Sequence, residues 1–351
     1  DVDDFVQIYR RLEPDGAAEQ AAARFGASEP YERYVAQRLD ANALATASAP
    51  LAEGGGTRGR NRAPPTEAKA NIRARRAGGP GWARQLFWLT ARYLSVLRGD
   101  PVALAMLVAA APLIALVMGS TFDKHPFART IEDGGDVSQA IALIFVVSAT
   151  AIFLASFVAA RSIAEESAIY ARERLVNLAI VPYALSKVTA LSLFALFQSA
   201  ALVGVVALRL EIPGGTRMLV DWIGVVTLIS LASLGMGLLV SALSTNTLRA
   251  MLLHSLVINP QLILCGALVP LKQLDSGSRA IADVTIGRWA VSLLGYLNDV
   301  NGLFEAQFGP IPNDYAEQFD LEPRRAIAVF VAMFLAFVVA TMLALKRRDV
   351  R

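Results

Sequence analysis

The sequence predicts an all-α, polytopic membrane protein. Six transmembrane helices are expected, with an amphipathic helix lying in the membrane interface ahead of them and another amphipathic helix between the second and third. Composition is the first observation behind this: 55% of the 351 residues are hydrophobic and only 18% charged, which is unusual for a soluble domain. Charge segregation is the second. Residues 1–100 are polar, whereas in 101–351 the charges are confined to short stretches between apolar runs of bilayer-crossing length. The net charge of +3 is too small to point to a nucleic-acid partner, and the bases cluster beside apolar runs, where membrane orientation accounts for them.

The elements follow in order. Residues 1–39 read as short soluble helices: "DDFVQIYRRLE" puts Phe5, Ile8 and Leu12 on one face, and Ser28 is placed to cap "EPYERYVAQRL". Residues 40–80, rich in Ala, Gly, Pro and Arg without an apolar period, read as a disordered linker. The chain opens at Asp1 with no signal-like segment, so it is expected to continue upstream. Residues 81–351 form the membrane unit. It starts with "GWARQLFWLTARYLSVLRGDP", where Trp82, Leu86, Leu89, Tyr93 and Val96 share a stripe and Arg84, Arg92 and Arg98 lie outside it, as in an interfacial helix.

The six spans are expected at 101–119, 140–160, 183–208, 218–243, 247–269 and 325–345. Pro101 suits a helix start and Pro112 should kink the first span. Gly224, Gly235 and Gly237 allow close helix approach in the fourth, and Asn259, Pro260 and Gln261 interrupt the fifth. The loop 270–323 contains "TIGRWAVSLLGYLNDVNGLFEA", apolar enough to dip into the outer leaflet. Cys265, the single cysteine, can form no intrachain disulfide and reads as a packing residue, as His254 does in its span. Bases flank the first span (Arg84, Arg92, Arg98), fill the 161–187 stretch and end the chain in "KRRDVR". The positive-inside rule therefore places both termini in the cytoplasm, with the 120–139 and 270–323 loops outside.

The stretch "RSIAEESAIYARERLVNL" (161–178) carries both signs of charge between two spans. Ser162 and Glu165 have capping-box spacing, the acids come early and Arg172 and Arg174 late, which complements a helix dipole. Ala164, Ala168, Ala171, Leu175 and Leu178 form an apolar face, leaving Glu166, Tyr170 and Glu173 to project elsewhere. A topological loop explains the arginines but not the three glutamates. A cytoplasmic docking surface explains both.

This stretch resembles the coupling helix and start of the third span in ABCG-like, type V ABC exporters. The match falls on Glu166, Ile169, Tyr170, Arg172, Glu173, Tyr183, Ser186 and Lys187, with Gln85, Arg92 and "RGDP" matching in the interfacial helix. The resemblance implies the membrane (permease) domain of an ATP-driven exporter in a bacterial cytoplasmic membrane. It implies a homodimer or pseudo-dimer over two nucleotide-binding domains, fused upstream or separate, with 1–39 resembling the end of one. Glu166, Tyr170, Arg172, Glu173 and Arg174 would contact that domain. The substrate path would run between the second and fifth spans, past Phe145, Phe153, Leu154, Phe157, Asn259 and Gln261. The chain contains no GxxxxGK[ST] loop and no LSGGQ-like signature, so ATP and Mg would bind the partner domain and the chain itself needs no cofactor. Lipids, glycolipids and other amphipaths suit such a path, and membrane lipids surround it. The alternative is an ion-coupled secondary transporter, which calls for mid-membrane carboxylates and often an inverted repeat; neither is visible in the spans.

Overall fold

A computed structural model describes residues 23–25, 27–31, 81–175, 178–310 and 313–348. The chain divides into two units, Asp1–Ile72 and Arg73–Arg351. In the first, the described residues form the short helical turn Glu29–Tyr31, where Ser28 Oγ accepts from the Tyr31 amide at 3.4 Å. The remaining helices expected over 1–39, and the linker expected over 40–80, lie outside the described residues.

The second unit is helical. It runs through α1 (Trp82–Gly99), α2 (Pro101–Thr121), α3 (Val137–Ser162), α4 (Ser167–Leu175), α5 (Ile180–Arg209), α6 (Gly215–Leu243) and α7 (Thr247–Ile263). A 3₁₀ turn, Leu271–Gln273, leads to α8 (Ser276–Asp283), α9 (Ile286–Leu297), α10 (Val300–Phe308), α11 (Ala316–Phe319) and α12 (Pro323–Arg348). Five of these helices, α2, α3, α5, α6 and α12, are long and apolar enough to cross a membrane. The pair α8 and α9, bent by 80°, adds a sixth if it is one broken span.

Short polar side chains set the helix boundaries. Asp100 ends α1 and caps α2 by accepting from Ala103 N at 2.9 Å, with Pro101 at the first position, where its missing N–H costs nothing. Asp136, Asn246 and Asp275 cap α3, α7 and α8 in the same way. One boundary differs from the sequence expectation. The fifth apolar run, expected to 269, forms a helix only to Ile263; its 17 residues rise about 26 Å. The chain then turns through Gly266, whose φ of +86° is open to glycine, and enters the bent pair. The apolar segment of the 270–323 loop forms α9 and α10, and α9 packs against α3 and α6.

At the centre, α6 packs along α3 on one side and α12 on another, and these apolar faces join the core. Gly237 sets how closely α6 approaches α3: a Cβ there would lie 2.3 Å from Ser156 O and 2.8 Å from Ala159 Cβ. Gly237→Ala should therefore force the two backbones apart and cost about 2 kcal/mol, as overpacking does. Gly224→Ala on the same helix, with open space around it, should change thermal stability little. On its other side α12 exposes Ile327, Val331, Leu335, Val339 and Leu343 at four-residue spacing, an apolar stripe suited to lipid.

Candidate functional site

Two features share the end of the bundle where α3 gives way to α4. The first is a buried polar hub joining α1, α4 and α5. The expected capping box does not form: α3 runs on through Ser162, whose hydroxyl donates to Ala159 O at 2.9 Å, and Glu165 pairs with Arg161 at 2.7 Å. Residues 163–166 make a turn. Its amides at Ile163 and Ala164 donate to Ser241 Oγ of α6 at 3.0 and 2.9 Å, so the turn is pinned to the central helix.

Glu166 at the end of this turn reaches the Lys187 ammonium of α5 at 2.6 Å, with Lys187 only 2% exposed. The Lys187 Nζ is off the line of a good hydrogen bond and also sits 4.0 Å above the Tyr93 ring of α1, a cation–π contact. Burial, and secondarily the Glu166 carboxylate, push the Tyr93 phenol above its usual range, so the ring stays neutral. Tyr170 of α4 is buried against Tyr183 of α5, with ring centroids 4.8 Å apart, and the Tyr183 hydroxyl lies 3.5 Å from Glu166. Glu173 forms an ion pair with Arg92 of α1, and Arg174 donates to Leu178 O.

The register of α4 is thus the reverse of the one its alanines suggest. Glu166, Tyr170, Glu173 and Arg174 turn toward the bundle, while Ala168, Ile169, Ala171 and Arg172 face outward. Of the five residues expected to meet a partner, only Arg172 lies on the exposed face. The cause is tertiary: α1 and α5 offer a cation, a guanidinium and two phenol rings, and these outweigh two alanine methyls.

The second feature is a groove of about 330 Å³ between α3 and α7. Phe153, Phe157 and Arg161 line one wall, and Met251, His254 and Ile258 the other. Phe153 and Phe157 stack at 5.4 Å, and the His254 ring stands edge-on to both at 6.0 Å. His254 is held by Ser156, with 2.8 Å from Oγ to Nε2. Histidine and cysteine both take the packed roles expected: His254 and Cys265 are buried.

The other expected path residues lie elsewhere. Leu154, one step round α3 from Phe153, borders water-sized cavities against α5 and α6. Phe145 packs against the core. Gln261 is buried, and its Oε1 accepts from the amides of Ile286 and Gly287 at 2.7 and 3.3 Å, capping α9. Asn259 is exposed on α7, donating to Ser255 O at 2.7 Å. Ser241, Ser156 and the Lys187–Glu166 contact carry weight that no local pattern in the sequence announces.

No cluster of His, Cys, Asp or Glu able to hold a metal ion occurs among the described residues, and the sequence has no phosphate loop. Among curated proteins there is no match to the chain. Residues 84–297 match the ABC-2 type transporter family, an extent that runs from α1 through α9 and includes the hub, the groove and the bent pair. The chain, a multi-pass membrane protein, therefore belongs to the ABC-2 type transporter family and is the permease part of an ABC transporter.

Proposed function

We propose that this permease is the membrane half of an ATP-driven exporter of the ABCG-like, type V kind, moving a lipid, glycolipid or other amphipath. The observation that carries the reading is the hub. A nine-residue helix, α4, is bolted to α1, α5 and, through its leading turn, α6, yet it keeps an exposed face of Ala168, Ile169, Ala171 and Arg172. A push on that face is transmitted to three helices at once, because each is tied to α4 or its turn: α5 and α6 by buried contacts, α1 by the part-exposed Arg92–Glu173 pair. In this reading a nucleotide-binding domain, fused or separate, docks on α4 and binds ATP and Mg. Both termini lie on its side, the cytoplasmic one, of a bacterial plasma membrane.

The substrate path follows the α3–α7 groove. Two copies would complete it, since α7 leaves Leu248, Leu252 and Leu256 exposed in a row beside Asn259. Family membership favours ATP over an ion gradient as the energy source. The test uses inside-out vesicles holding the full transporter. Amphipath uptake should require ATP and survive collapse of the proton gradient. Uptake driven by the gradient without ATP would overturn the exporter reading.

A further inference from the structure

We infer that the α3–α7 groove takes an anionic amphipath, whose headgroup sits on Arg161, and that Glu165 holds the headgroup's place when the groove is empty. The inference rests on the proposed reading of this groove as the substrate path. Its size, about 330 Å³, falls at the lower end of small-molecule sites. Its walls are apolar and aromatic for most of their length, which suits an acyl or ring-bearing body laid along Phe157, Phe153 and Ile258.

Polar recognition is concentrated at one end. Among the described residues of the lining, Arg161 alone carries a fixed charge. The Ser255 hydroxyl is engaged with Met251 O at 3.0 Å, and His254 Nε2 with Ser156. A headgroup that reaches the α4 end of the groove therefore meets a guanidinium. That guanidinium is held by Glu165 through Nε at 2.8 Å and a terminal nitrogen at 2.7 Å, with the two side chains 48% and 45% exposed. Both contacts end on one carboxylate oxygen, Oε1. An exposed pair of this kind, here between the last turn of a helix and the turn that follows it, is weak and costs little to break. A phosphate or carboxylate on a lipid can offer the same planar fork two oxygens, and its tail fills the groove while Glu165 turns to water. The groove thus selects for charge by exchange, with no buried charge left unpaired in either state.

The test places a bimane fluorophore at Ser255→Cys, on the groove, in the full transporter in phosphatidylcholine nanodiscs. Native Cys265 is buried, and protein without the added cysteine gives the background. Phosphatidic acid and phosphatidylcholine carrying the same nitroxide-labelled chain are the quenchers, and Leu335→Cys on the lipid-facing stripe of α12 reports surrounding lipid. Phosphatidic acid should quench at Ser255→Cys at a several-fold lower mole fraction than phosphatidylcholine. Arg161→Gln should erase that preference, Glu165→Gln should strengthen it, and Phe157→Ala should weaken quenching by both lipids alike. Inorganic phosphate should not relieve the quenching. A preference that survives Arg161→Gln, falls in Glu165→Gln, or is abolished by inorganic phosphate alone would overturn the headgroup assignment while leaving the groove as the path. Quenching at Ser255→Cys no greater than at Leu335→Cys, for both lipids and insensitive to Phe157→Ala, would instead overturn the path reading itself.

Discussion

Glu166→Ala is expected to be among the most damaging single substitutions in the chain, although it alters a turn at the end of the bundle and not a span. It strands the Lys187 ammonium, 2% exposed, with only the tyrosine rings as company. Removing one partner of a buried ion pair costs several kcal/mol, because a charge remains with nothing to solvate it. Glu166 is itself 19% exposed, which puts the expected loss near the lower end, about 3 kcal/mol. The converse change is milder. Lys187→Met leaves a carboxylate that can still reach water and fills the same space with an apolar chain, for a loss of about 1 kcal/mol. Combining Glu166→Ala with Lys187→Met should restore most of the stability, since replacing a whole buried pair is close to neutral. Thermal unfolding of the four proteins forms a double-mutant cycle. Strictly additive losses would show that Glu166 and Lys187 act independently, against the geometry.

Ile169→Asp should produce the largest functional effect without a matching loss of stability. The side chain is 42% exposed at the centre of the outward face of α4, so the isolated permease has little to lose. An apolar contact at the centre of a protein interface can contribute about 2 kcal/mol when well packed, and a charge in its place must be desolvated as well. Membrane abundance and basal ATP hydrolysis of the full transporter should stay near normal, while transport and substrate-stimulated hydrolysis fall more than about ten-fold. Glu173→Ala should behave differently. It releases α4 from Arg92 of α1, a contact about one-third exposed, and should cost about 1 kcal/mol of stability with a partial loss of coupling. Equal transport in Ile169→Asp and the parent would remove α4 from the power train.

Much of this architecture was legible in the residues. Apolar runs longer than 18 residues announce membrane helices whatever surrounds them, and five of the expected spans appear as helices of spanning length. Caps such as Asp100–Pro101 act through atoms a few positions away, so they too can be read locally. The end of the fifth run could not, because hydropathy alone cannot distinguish a continuous helix to 269 from one that stops at Ile263 and turns back. Gln261 shows why. A buried amide in an apolar run suggests a polar path, but its partners are the free amides of a helix that starts 25 residues later. The orientation of α4 is non-local in the same way. Its alanines set a weak local period, while its true orientation is fixed by Lys187, Tyr183 and Arg92, which lie outside the stretch. Tight packing at Gly237 against Ser156 O is likewise a property of two helices together.

The claim that α4 is the contact through which ATP-driven motion enters the membrane domain is tested most directly by disulfide or short bifunctional cross-linking from single cysteines placed along 166–174 in the assembled transporter. Positions Ala168, Ile169 and Arg172 should cross-link to the nucleotide-binding domain in a nucleotide-dependent way, while Glu166 and Tyr170, turned into the hub, should not. Cross-links confined to 166 and 170, or none from any position in a transporter that is hydrolysing ATP and moving substrate, would contradict it.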